Sequence, residues 1–122
     1  AVETEGAASF YRSVEAGGLV TLERIDTVAR SLGARRVAPA LMDWLPRHRI
    51  VPWLVADRQA VLACRRFADD AHVLVEPACG ASLAAVYDGA EPLRDARTVL
   101  VIVCGGVTMS LQAMERYLGA RG

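Results

Sequence analysis

Apolar positions in this chain fall into short continuous runs and runs spaced at helical intervals, and the two kinds alternate. The most uniform continuous run is Thr98-Val-Leu-Val-Ile-Val103, apolar on both alternating faces, which predicts a buried, parallel strand. It stops at Cys104, two glycines follow, and Val107, Leu111, Met114 and Leu118 then recur at the spacing of an amphipathic helix. Ligands of open α/β sheets bind at the carboxyl ends of strands, where the turn into the next helix faces a crevice. Cys104 stands at that place.

Earlier parts of the chain fit around this unit. Gly6 to Ala16 predicts a helix with Ala7, Phe10, Tyr11 and Val14 on one face and Gly17-Gly18 as its stop. Thr21 is placed to cap a second helix carrying Ile25, Val28, Ala29 and Leu32, closed by a left-handed Gly33. Residues 34–37 read as a weak strand, and Ala38 to Leu45 as a helix ended by Pro46. Ile50 to Val55 is a strand whose Pro52 suggests an edge or bulge. Asp57 is the expected cap of a helix from Arg58 to Asp69, with Ala60, Val61, Cys64, Phe67 and Ala68 inward. His72 to Val75 is a further short strand, Ala81 to Tyr87 a helix closed by Asp88-Gly89, and Glu91 to Arg97 a charged loop. Strands alternating with helices imply an α/β layer structure with a largely parallel sheet, in one domain without repeats. The good strands are few for three layers, which suggests that 1–122 is part of a larger domain.

Composition narrows the function. An apolar fraction of 53% expects a substantial core, and 14 basic against 14 acidic residues, without runs of one sign, remove the electrostatic case for nucleic acid or an anionic membrane surface. No apolar run reaches the length of a membrane span and no signal peptide opens the chain. Three widely spaced cysteines suit a reducing, cytoplasmic setting better than a disulfide framework. All 14 basic residues are arginine, so chemistry that needs a lysine amine must obtain it elsewhere. A start at Ala-Val-Glu-Thr-Glu-Gly without methionine reads as a piece cut from something longer.

Candidate chemistry is sparse. Cys64, Cys79 and Cys104 lack paired ligand spacing, and His48 and His72 lie in unrelated elements, so zinc is disfavoured and the histidines read as surface residues. Cys64 reads as a small core residue. Cys104 is a nucleophile candidate by position, but no Gly-x-Ser-x-Gly elbow surrounds it and no histidine is placed as its base. From residue type alone, packing and function are equally open for Cys104, and Gly105-Gly106 by itself is a weak phosphate signal.

Longer motifs carry more. Leu74-Val-Glu-Pro-Ala-Cys-Gly-Ala-Ser-Leu-Ala-Ala-Val-Tyr87, together with Val99-Leu-Val-Ile-Val-Cys-Gly-Gly106, resembles the C-terminal part of the catabolic L-serine/L-threonine dehydratases, pyridoxal-phosphate enzymes of fold type II. Glu3-Thr-Glu-Gly-Ala7 with Ser9-Phe10, Leu19-Val-Thr-Leu22 and Val28-Ala-Arg-Ser-Leu-Gly-Ala34 resemble the same family in the same order. The resemblance implies a three-layer parallel-sheet domain of which 1–122 is the C-terminal segment. It also implies β-elimination of L-serine to pyruvate and ammonia, or of L-threonine to 2-oxobutanoate, by a cytoplasmic homodimer.

By the same resemblance Cys104 and Gly105 are cofactor-binding, and the Cys104 sulfur faces the pyridine nitrogen of the cofactor. A thiol is a weak hydrogen-bond partner and, unlike a carboxylate, does not hold the ring protonated. Glu3 with Ala7, Ser9, Leu32 and Ala34 matches a monovalent-cation site whose hard oxygen ligands suit potassium, although helix packing alone also accounts for Ala7, Leu32 and Ala34. In the family the cofactor's lysine, an asparagine at its ring and a glycine-rich phosphate loop precede the part matching Glu3, so no catalytic residue falls within this segment. Two alternatives stand beside this expectation: a non-catalytic α/β piece that self-associates, and a related enzyme such as a serine racemase.

Overall fold

The computed structural model describes residues 1–119. Among them, β1 (Val2–Thr4) and β2 (Trp53–Val55) form a two-stranded parallel sheet with Val2 opposite Trp53, Glu3 opposite Leu54 and Thr4 opposite Val55. The ammonium of Ala1 donates to the Val51 carbonyl at 2.7 Å, and the Trp53 N–H donates to the Ala1 carbonyl at 2.8 Å. The expected α/β class with parallel pairing is therefore present in these residues.

Among the described residues five α-helices accompany the sheet: α1 (Ser9–Ala16), α2 (Pro39–Trp44), α3 (Asp57–Ala71), α4 (Pro77–Tyr87) and α5 (Leu111–Gly119). α1 stops where the sequence says it should: Gly17 turns left-handed at φ 65°, and its N–H reaches the carbonyls of Ser13 and Val14. α3 and α4 form the centre of the core, with Val61, Cys64, Cys79, Ala81 and Ala84 between or beside them and Val55, Val75 and Met114 completing it. Gly80 lets the two helices touch, since a Cβ there would lie 2.1 Å from the Ala60 carbonyl oxygen and 2.5 Å from Cys64 Sγ. α4 needs no polar face because it is buried nearly all round.

Several expected elements are absent from the described residues. Residues 98–103 form no strand and have no ladder partner; Leu100 is 89% exposed and Ile102 75%. An apolar run states what the side chains require, but a strand also needs a neighbouring backbone, and the sheet formed here is β1 with β2. The strand β1 itself is short and was not expected from the pattern. The helix expected from Thr21 to Leu32 reduces to a 3-10 turn at Arg30–Leu32, and Gly33 has φ −72° instead of a left-handed value. Donors in this stretch are captured by non-helical partners: Asp26 N–H by the Gly6 carbonyl and Val28 N–H by Asp57, both outside it, and Ala29 N–H by the neighbouring Thr27 hydroxyl. Asp57 does not cap α3, since Ala56 is the capping residue and the Asp57 carboxylate instead accepts the Thr27 hydroxyl and the Val28 N–H. Residues 34–37 and 72–75 are likewise not strands, although Val75 is buried.

Candidate functional site

Cys104-Gly105-Gly106 is fastened to the first turn of α4. The N–H groups of Cys104 and Gly105 donate to Cys79 Sγ at 3.1 and 3.4 Å, and the Cys79 thiol donates to the Gly105 carbonyl at 3.5 Å. The same carbonyl accepts the Glu76 N–H at 2.8 Å. Gly106 is required by close approach, because a Cβ there would lie 2.1 Å from the Leu74 carbonyl oxygen. The Glu76 carboxylate completes the clamp, accepting the Ser31 hydroxyl at 2.9 Å and the Thr108 hydroxyl at 2.6 Å. Residues 31, 76–79 and 104–108 thereby meet, and a cleft of about 430 Å³ beside them is lined by Val28, Arg30, Ser31, Pro77, Thr108 and Met109.

Cys104 is exposed, and its thiol is pushed above the ordinary range, first by its hydrogen bond with the Cys79 side chain and then by the charge Cys79 would carry. It is a neutral thiol at neutral pH, which argues against the nucleophile reading, since the thiolate is the reactive form. Cys64 is different in kind: burial pushes it up to about 12, as befits a core residue. Both histidines are exposed, and no cluster of three or more metal-ligating side chains occurs among the described residues.

The residues expected to hold potassium lie on two neighbouring pieces. Glu3, on β1, caps α1: its carboxylate oxygens accept the N–H groups of Phe10 at 2.9 Å and Tyr11 at 2.8 Å. Ala7 and Ser9 are buried beside it, and the Ser9 carbonyl accepts the Ser13 hydroxyl. Leu32 and Ala34 follow the 26–29 stretch, which the Asp26–Gly6 hydrogen bond ties to the turn containing Ala7. A wider cleft of about 690 Å³ opens between these pieces and α3, lined by Asp26, Arg30, Asp57 and Arg58 among others. It mixes charges of both signs and contains no thiol, so size alone does not make it the cofactor site.

A profile of the family described as "Pyridoxal-phosphate dependent enzyme" matches residues 1–105. The chain belongs to that family. It is similar to a Rattus norvegicus protein named "Serine dehydratase-like", 46% identical over 94% of this chain and 37% of the relative. It is also similar to a Bos taurus "L-serine dehydratase/L-threonine deaminase", 45% identical over 99% of this chain and 40% of the relative. The crystal structure of a fungal L-serine ammonia-lyase from Rhizomucor miehei superposes with a TM-score of 0.89 at 37% identity, over 95% of this chain and 38% of that one. The chain thus spans about two fifths of the length of these relatives.

For a pyridoxal-phosphate dependent enzyme the donor chemistry at Cys104 fits. A neutral, exposed thiol held in a fixed loop is a suitable weak partner for a pyridine nitrogen, and Thr108 adds a hydroxyl nearby. Sequence reasoning singled out Cys104 and Gly105 but assigned nothing to Cys79 or Glu76. Their signal lay in Glu-Pro-Ala-Cys-Gly itself, where a proline opening α4 places Glu76 and Cys79 on one turn.

Proposed function

We propose that this chain forms one wall of the cofactor site of an L-serine/L-threonine dehydratase, whose complete form converts L-serine to pyruvate and ammonia. The observation that carries the reading is the clamped Cys104-Gly105 loop with its neutral thiol, in a chain so similar to the fungal L-serine ammonia-lyase. Bound pyridoxal phosphate would act as the electron sink for the charge left at the substrate α-carbon. Cys104 would hold the ring nitrogen as a weak, neutral partner that does not supply a full proton, a setting that suits loss of the β-hydroxyl. Glu76 and Cys79 hold that loop still. The segment 1–122 is the C-terminal part of the catalytic domain; because it contains no lysine, it is inactive alone, and the amine comes from the remainder of the enzyme. Glu3, with the carbonyls of Ala7, Leu32 and Ala34 and the region of Ser9, holds potassium in this reading, and the enzyme works as a cytoplasmic homodimer.

A chimera tests it: this chain replaces the corresponding segment of the Rhizomucor miehei L-serine ammonia-lyase, and pyruvate formation and cofactor absorbance are followed. Turnover of L-serine is expected. A chimera that folds and binds cofactor yet leaves L-serine untouched, or only racemises it, would sink the dehydratase reading. The exposed side chains Leu100, Ile102 and Val107 favour one other reading, a non-catalytic self-associating piece. A monomer in sedimentation of the chain alone would sink that reading, which requires a stable oligomer.

A further inference from the structure

We propose that Cys79 is the positioning residue of Cys104: its buried sulfur gathers the N–H groups of Cys104 and Gly105 and fixes how the Cys104 thiol is presented. The inference rests on the cofactor reading only for what Cys104 is presented to. The geometry stands without it.

Cys79 is 1% exposed and lies on the first turn of α4, a helix buried nearly all round. Its sulfur accepts two consecutive N–H groups and donates to the Gly105 carbonyl, so one atom fixes both sides of the residue after Cys104. Sulfur accepts weakly and at longer range than oxygen, which suits a loop whose own side chain must remain available. A charge on the Cys79 sulfur would also oppose ionisation of Cys104, adding to the geometric hold on its backbone. Glu76, on the turn before Cys79, is the other titratable group acting on Cys104, and it raises the thiol in the same direction. Cys64 neighbours Cys79 from α3 but is sealed in the core. The arrangement therefore sets direction through the backbone and protonation through the thiol. Cys104 alone supplies neither.

The test is alkylation of the 122-residue chain by iodoacetamide, read residue by residue by peptide mass spectrometry from about pH 7 to 10, around the ordinary thiol value of about 8.5. In Cys79→Ala the Cys104 profile is expected to move to lower pH, with faster labelling at pH 8, while Cys64 stays unlabelled as an internal sign of an intact core. If Cys79→Ala opens the core, so that Cys64 reacts, Cys79→Ser decides: it keeps hydrogen bonding but removes the second ionisable thiol, and is expected to give a downward shift smaller than that of Cys79→Ala. An unmoved Cys104 profile in a folded variant overturns the proposal. None of these readings needs cofactor, so a failed dehydratase assignment and a failed role for Cys79 are told apart.

Discussion

Thr108 Oγ1 donates to Glu76 Oε2 at 2.6 Å, and this bond closes the loop after Cys104 onto the start of α4. Glu76→Ala removes this contact and the one to Ser31 together. Both bonds are solvent-exposed, so the expected loss is modest, about 1 kcal/mol by urea unfolding. Amide exchange should quicken at residues 104–109 more than in α3. Equal change in both would mean that Glu76 does not act locally.

Gly80→Ala should be far more severe. The added methyl would meet the Ala60 backbone, which cannot yield without separating α3 from α4. Overpacking of this kind costs roughly 1–3 kcal/mol or more, and with a backbone atom as the obstacle the upper part of that range or failure to fold is expected. A urea midpoint within error of the parent would contradict the close contact.

Thr27→Val tests the polar link between the sheet and α3. The Thr27 hydroxyl accepts from Thr4 and donates to Asp57, so valine leaves a carboxylate oxygen and a buried threonine short of a partner. The expected cost is about 1–3 kcal/mol. Asp57→Asn in the same background should recover little: its amide oxygen can still accept the Val28 N–H, but its amide N–H would face the new valine without a partner.

Cys64 makes stability depend on alkaline pH. Its folded value of about 12 lies above the ordinary value of 9.0, so the folded state keeps a proton that the unfolded state gives up in that window. Stability is fully present below about 9 and falls as pH rises toward 12. Comparing the slopes of melting temperature against pH for the parent and Cys64→Ala checks this: the variant should be flatter, whatever its absolute stability.

The proposed cation site predicts a higher melting temperature in potassium than in sodium chloride at equal ionic strength. Glu3→Gln should abolish that difference. It should also lower both values, because Glu3 caps α1. An unchanged salt difference would remove Glu3 from the site.

What could be read in the sequence divides along physical lines. α1, α3 and α4 are announced by apolar spacing and local stop signals such as Gly17, and these suffice because a helix closes its own hydrogen bonds. The stretch from Thr21 to Leu32 has helical spacing too, yet Gly6 and Asp57 take two of its donors, and nothing local reports such remote competition. The 98–103 run reads as strand because its side chains are strand-forming, but strand status belongs to a pair of segments. At the site, Cys104 could be found by position and resemblance, whereas the motif could only set Cys79 beside Glu76 on one turn, because folding alone brings its sulfur against the backbone of residues 104–105.

The contact at Gly80 also bears on the order in which the molecule assembles. α3 and α4 are separated only by residues 72–76, while β1 must find β2 from residues 2–4 to 53–55. Closing the short loop forfeits less chain entropy, so the helix pair is the natural nucleus and the parallel strands dock afterwards. Pulse-labelled exchange should accordingly protect α3 and α4 first. The platform beneath Cys104 would then be finished before the sheet is, with the Cys79 sulfur in place before the backbone of residues 104–105 arrives to meet it.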